Sequence, residues 1–193
     1  MTRYASAVTT TIRGYHHGDL RRTLLDAAAE AIGESGPAAL SLRDLARRAG
    51  VSHAAPAHHF GDKAGLLTAL AVEGFDLLAQ ALDRAGGDLL EAGVAYVRFA
   101  VRHRAYFEVM FSPGLYRADD PAAVAARTRA GAALRGGVAA LPAPPAEPER
   151  DALAAWSIVH GFATLWLAGA IPPGTDPDPE VAARAVIRRL FQT

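Results

Sequence analysis

A chain of 193 residues, half of them hydrophobic, is long enough to bury a core, as one large domain or a small domain joined to a larger one. Its 20 basic residues balance 20 acidic ones, which excludes the strongly basic character of a non-specific nucleic-acid coat. The absence of Cys excludes a disulfide framework and a thiolate metal site, and with no apolar stretch of secretory-signal length in MTRYASAVTTTIRGYHHGDL the expected location is cytoplasmic.

Ala dominates the hydrophobic half and β-branched residues are sparse, so an all-α fold is expected. Residues 1–18 lack periodicity and are read as a mobile arm. A first helix is predicted from Asp19 to Ser35, with Leu20, Leu24, Ala28 and Ile32 on one face; Gly36 caps it and Pro37 stops it. Ser41 followed by Asp44 approximates a capping box opening a second helix through Ala49, and Gly50 supplies the turn. Ser52 is predicted to cap a third, short helix ending at His59 or Phe60, with Pro56 at its fourth position forgoing one backbone bond. Asp62 caps a fourth helix from Lys63, whose stripe of Leu66, Leu70, Phe75, Leu78 and Leu82 runs across a domain boundary near residue 72.

Gly86 and Gly87 break the chain and Asp88 caps the next helix. An aromatic segment of Tyr106, Phe107, Met110 and Phe111 follows. Pro121 sits in the first turn of an Ala-rich helix to about Leu141, and PAPPAEPE at 142–149 reads as a mobile connector. Two further helices are expected at about 150–170 and 180–191. The organisation is thus an arm (1–18), a three-helix domain (19–72) and a larger helical domain (73–193), for which the motifs below make DNA binding, and ligand binding with dimerisation, the respective expectations.

The function rests on Ser41 to Lys63, SLRDLARRAGVSHAAPAHHFGDK. Two short helices joined through a Gly turn let one helix cross the DNA backbone while the next enters the major groove. Ser52, His53, Ala54 and Ala55, small or planar, open the groove-reading helix, where side chains meet base edges. Arg43, in the first turn of the second helix, is suited to bidentate pairing with guanine or is simply a solvated charge. Lys63, the sole lysine, stands at a helix N-terminus where a phosphate is favoured. His58 and His59 point about 100° apart and cannot chelate one metal, so a phosphate contact is expected of one of them. His16, His17 and Asp19 lack further ligands, and neither metal nor cofactor is expected.

The stretch RGYHHGDLRRTLLDAAAEAIGESGPAALSLRDLARRAGVS, then HF at 59–60 and DKAGLL at 62–67, resembles the DNA-binding domain of TetR-family regulators over residues 13–70. The C-terminal part resembles the branch of that family marked by Trp followed four residues on by His-Gly, here Trp156, His160 and Gly161, with HRAYFEVMFSP at 103–113 also typical. The resemblance implies a homodimer, a palindromic double-stranded operator and repression relieved by a small-molecule effector. By position it implies base contacts from Arg43, His53 and Ala55 and phosphate contacts from His59 and Lys63. Ala57 departs from the family's usual Tyr, which shifts weight onto the arm residues Arg13, Tyr15 and His16.

Ala152–Ile171 is free of charge over a bilayer-spanning length, yet Ser157, His160, Thr164 and its glycines favour a subunit interface over a membrane span. Ser157, Gly161, Thr164 and Ala168 form a close-packing strip, complemented by Val186 and Leu190 of the last helix. Phe99, Tyr106, Met110, Phe111, Trp156, His160 and Trp166 are the candidates for an apolar ligand cavity, with core packing as the competing reading. An enzyme is disfavoured, since neither a nucleophile elbow nor a phosphate-cradling Gly loop is present; a ligand- or protein-binding module with weakened DNA binding is the remaining alternative.

Overall fold

The computed structural model describes residues 17–141 and 146–190, all of whose regular structure is helical. The elements are α1 (His17–Ser35), α2 (Leu42–Arg48), α3 (Ala55–Phe60), α4 (Lys63–Asp83), α5 (Leu89–Arg102), α6 (Arg104–Met110), α7 (Pro121–Ala139), α8 (Pro148–Leu167) and α9 (Pro179–Leu190). A single 3₁₀ turn, Pro37–Ala39, joins α1 to α2. Arg13, Tyr15, His16 and the first half of the Pro-rich connector, 142–145, lie outside the described residues, as do the last three residues.

The polar caps read from the sequence are in place. Ser41 accepts from the Asp44 amide, Asp62 from Gly65 at 2.8 Å and Asp88 from Glu91 at 3.0 Å, each satisfying an otherwise orphan donor of the first turn. After α2 the chain makes a Schellman turn. Gly50 takes φ 64°, its N–H donates to Arg47 and the Val51 N–H to Ala46.

The third helix departs from expectation. Ser52 does not cap it; α3 begins three residues later, behind Ala54, with no side-chain cap. Pro56 is the cause. Were Ser52 the cap, the first helical bond would run from the residue-56 amide to the Ser52 carbonyl, and proline has no amide proton to give. The Ala55 N–H donates to Ser52 instead, at 3.0 Å, and Pro56 falls in the first turn, where its missing donor costs nothing. His53 and Ala54 therefore sit in the turn ahead of α3 and not within it.

One continuous core runs through the molecule, from Leu24, Ile32 and Leu45 through the α4 stripe of Leu66, Leu70, Phe75 and Leu78 to Tyr96, Val97, Met110 and Val159. Helix α4 belongs to both halves: it receives α3 near its start and packs against α5, α6 and α7 along its length. It is also the one described helix long and apolar enough to cross a membrane, but its apolar stripe is consumed by this packing. At the far side, α9 lies on α5 where Gly93 leaves room for Ile187, and bidentate pairs of Arg98 with Glu180 and Arg184 with Glu91 tie the two helices.

Candidate nucleic-acid interface and effector cavity

The α2–turn–α3 unit presents Arg43, Ser52, His53, Ala54, Ala57 and His58 to solvent. The side chains of Arg43, Ser52 and His53 have no hydrogen-bond or charge partner among the described residues, so their donors remain available to an outside acceptor. Arg47 and Arg48 differ. Arg47 pairs with Asp44 on its own helix at 3.1 Å, whereas Arg48 forks onto Glu34 of α1 at 2.6 and 3.1 Å and holds that carboxyl below the usual range. Arg48 is thereby a tie between α1 and α2.

Several contacts fix α3 relative to this frame. Pro56 is buried, Phe60 packs on the core, and the Arg21 guanidinium lies 5.3 Å from the Phe60 ring centroid. Ala55 and His59 are half-buried, with the His58 and His59 rings edge to face at 5.6 Å. The close approach lies at Gly65: a Cβ there would stand 2.0 Å from the Phe60 carbonyl oxygen, so only glycine lets the end of α3 sit against α4. Lys63 donates to the Ala38 carbonyl at 2.8 Å, bracing the 3₁₀ turn and leaving two ammonium protons for a phosphate.

Behind this unit lies a cavity of about 510 Å³, a usual size for a small-molecule site. Its wall includes Phe75, Leu78, Tyr96, Met110, Phe111 and Trp156. Of the residues expected there, Met110, Phe111 and Trp156 line it directly. His160 stands just behind, its ring 4.5 Å from that of Phe111. Phe99, Tyr106 and Trp166 do not line it. Phe99 stacks on His103, the Tyr106 hydroxyl donates to Glu73 at 3.4 Å, and Trp166 stacks on Phe162. A wider cleft of about 830 Å³ between α4 and α7 is walled by Asp76, Gln80, Asp83 and Arg129 without an aromatic side chain.

Tyr96 was not singled out in the sequence, although its register on α5 with Ala92, Val97 and Ala100 is inward. Its hydroxyl accepts from Trp156 Nε1 at 3.2 Å and lies 2.9 Å from His160 Nδ1. Burial raises the Tyr96 pKa and lowers that of His160, so both groups are neutral at neutral pH. With the phenol oxygen already accepting from Trp156, its proton is best spent on Nδ1, which puts the imidazole proton on Nε2.

Burial also lowers the pKa of His103. Both imidazoles then bind fewer protons folded than unfolded, and their contribution to stability is complete above the ordinary value of about 6.5 and lost as pH falls below it. The expected result is a melting temperature that falls as pH drops below about 6.5, with a shallower fall in His160→Gln. Pairs such as Arg48–Glu34 yield only at lower pH, since Arg48 keeps that carboxyl ionised there.

Two halves share α4. The Tyr116 hydroxyl, on the cavity wall, donates to the Met110 carbonyl at 3.2 Å. The next residue, Arg117, donates through its backbone to Thr68 Oγ1 at 3.0 Å and through its guanidinium to Asp62 at 2.7 Å. Asp62 caps α4 directly after α3, so the cavity wall and the helix-turn-helix are joined by a short chain of bonds.

A helix-turn-helix mounted on a helical, cavity-bearing domain defines the class of ligand-responsive regulatory proteins. The chain belongs to the TetR family of bacterial regulatory proteins: the tetR-family regulatory model matches residues 24–70 and the tetracyclin repressor-like C-terminal domain matches residues 89–190. A solved protein of unknown function from Rhodococcus sp. RHA1 is 34% identical, with a TM-score of 0.79 over 93% of this chain and 97% of that one. AibR, solved in complex with isovaleryl coenzyme A and operator DNA, shares the fold at 19% identity, with a TM-score of 0.67 over 89% of this chain and 98% of that one. The regulator BetI of Escherichia coli K12 is 51% identical over 49 residues, 25% of each chain, so the chain spans about a quarter of the length of this curated relative.

Proposed function

We propose that the protein is a homodimeric transcription regulator, a repressor that holds a palindromic operator and is released by a small apolar or aromatic effector in the cavity behind α6. The observation that carries the reading is the exposed set Arg43, Ser52 and His53, unpartnered on a two-helix unit that every other contact holds rigid. In this reading Arg43, Ser52, His53, Ala54 and Ala55 meet base edges, while His58, His59 and Lys63 meet phosphates. The spacing of Trp156, His160 and Gly161 supports a place in the Trp–His-Gly branch of the family, and in this reading the place of action is the cytoplasm.

Dimerisation is placed on α8 and α9. Ser157, Thr164 and Ala168 are exposed along one face of α8 and Gly161 is open on it; Leu153 and Leu165 flank them at 56% and 50% exposure, and Val186 of α9 is 41% exposed. Apolar side chains this open, on a strip of small residues, suit a four-helix interface built with a second copy. Leu190, the last described residue of α9, is assigned to the same interface.

Release follows from linkage. An effector filling the cavity bears on Met110 and Tyr116, and through Arg117 on Asp62 and α3, favouring a separation of the two recognition helices other than the roughly 34 Å that successive grooves require. In mobility-shift titrations Arg43→Ala is expected to lose about 1–3 kcal/mol and to relax preference at one base, and Lys63→Ala to weaken all sequences with a shallower salt slope. Unchanged binding by both variants would remove these residues from the interface. Ala57, exposed on α3, offers no hydroxyl to the DNA backbone, and binding without sequence preference would favour a module whose DNA grip has weakened.

A further inference from the structure

Helix α7 contributes one face to the cavity, and that face is not apolar throughout. Arg127, Gly131, Leu134 and Arg135 all line it, which puts two arginines on one side of the helix with their backbones eight residues, a rise of about 12 Å, apart. Gly131, between them, has no side chain to close the gap. The Arg135 guanidinium folds over that gap: a Cβ at Gly131 would lie 3.2 Å from it.

Ten of the 17 described arginines pair with a carboxylate. Arg22, Arg48, Arg98, Arg117, Arg129 and Arg184 each hold a carboxylate on another helix or loop. Arg127 and Arg135 hold none among the described residues: Arg127 makes one hydrogen bond, to the Ala118 carbonyl at 3.3 Å, and Arg135 makes none. The acid that shares the cavity, Glu149 at the start of α8, pairs with neither. The remaining wall is aromatic and aliphatic. The mouth therefore carries a net positive charge on forked donors, while the interior offers apolar surface and the neutral Tyr96–Trp156 pair.

We infer that the effector is an anionic amphiphile: a single carboxylate or comparable anion gripped at the α7 rim by Arg127 and Arg135, carrying an apolar tail into the space bounded by Phe75, Met110, Phe111 and Trp156. This rests on the reading of the cavity as the effector site, and adds the charge of the ligand to it. Forked guanidinium donors match a carboxylate bidentately, and Gly131 puts no side chain between the two arginines. Glu149 faces the same opening and opposes a multiply charged head, which selects a monoanion.

The test uses the full chain and three probes with the same ten-carbon tail: decanoate, decanol and decyltrimethylammonium, each titrated calorimetrically. Decanoate is expected to bind about tenfold or more tightly than decanol, and the cation more weakly still. The pair Arg127→Gln and Arg135→Gln, both exposed and outside the core, is expected to erase the preference for decanoate while leaving decanol binding and the melting temperature unchanged. Equal binding of decanoate and decanol, or tighter binding of the cation, overturns the inference and leaves the cavity as an effector site for a different chemistry. If no probe binds, and Trp156→Phe shows no change in any titration, the inference and the effector-site reading fall together.

Discussion

Gly161→Glu is expected to leave each subunit folded and to convert the protein into a monomer that has lost operator binding. Gly161 sits in the middle of α8, and a Cβ built there meets nothing within 4 Å. Within the subunit the substitution even favours the helix, since glycine is worse in a helix interior than most residues by several tenths to about 1 kcal/mol. Between subunits the effect reverses. On the proposed interface the strip of Ser157, Gly161, Thr164 and Ala168 would let two backbones approach, and a glutamate at its centre would fill that space and bury a charge without a partner. In the proposed dimer, operator binding depends on two recognition helices acting at once. Separating the subunits forfeits the effective concentration that the first contact gives the second, about 10²- to 10⁴-fold in affinity. Sedimentation should report the monomer mass, gel shifts the loss of the complex, and circular dichroism an unchanged helical content. A dimer that persists in Gly161→Glu would move the interface away from this face.

The second large effect is expected at Gly65, for a different reason. In Gly65→Ala the new methyl would lie 2.0 Å from the Phe60 carbonyl oxygen and 2.9 Å from an Arg117 guanidinium nitrogen. The first contact is backbone, so relief requires α3 to move away from α4 by about 1 Å, with overpacking of this kind costing about 1–3 kcal/mol. The same movement loosens the Arg117–Asp62 pair and the cap of α4. Operator affinity should fall at least about tenfold, because base contacts worth about 1–3 kcal/mol each depend on where α3 stands. Ligand binding in the cavity should persist, its wall being built from residues beyond Gly65. Comparing gel shifts with calorimetric titration separates the two, and wild-type operator binding by Gly65→Ala would show that α3 has more freedom than the packing implies.

Local chemistry was legible where the deciding residues are neighbours in the chain. Ser41, Asp62 and Asp88 announce helix starts because a cap is a bond over three residues, and Gly50 announces the turn because the backbone there needs φ 64°. The periodic stripe of α4 identified the shared helix for the same reason. Ser52 misled since its hydroxyl competes with a constraint four residues away, the missing amide proton of Pro56. The cavity was half legible. Met110, Phe111 and Trp156 stand out as aromatic or soft residues, but nothing in their spacing distinguishes them from Phe99 and Tyr106, which the helix crossings turn into the core, or from Trp166, which packs half-buried against it. Tyr96, Arg127 and Arg135 reach the same space from α5 and α7, and only the three-dimensional crossing of those helices with α8 brings them together. Lys63 is a similar case: its role in bracing Ala38 depends on a contact across 25 residues.

In the proposed dimer, two copies of the α2–turn–α3 unit, yoked through α8 and α9, read two matching sites on one duplex. Sequencing the fragments of the source genome retained by the purified protein tests it most directly. An enriched inverted repeat is expected, its half-sites centred about one turn of DNA apart, roughly 34 Å, and it should disappear when Gly161→Glu is used. Retained fragments that share no motif, or a motif without twofold symmetry, would contradict it.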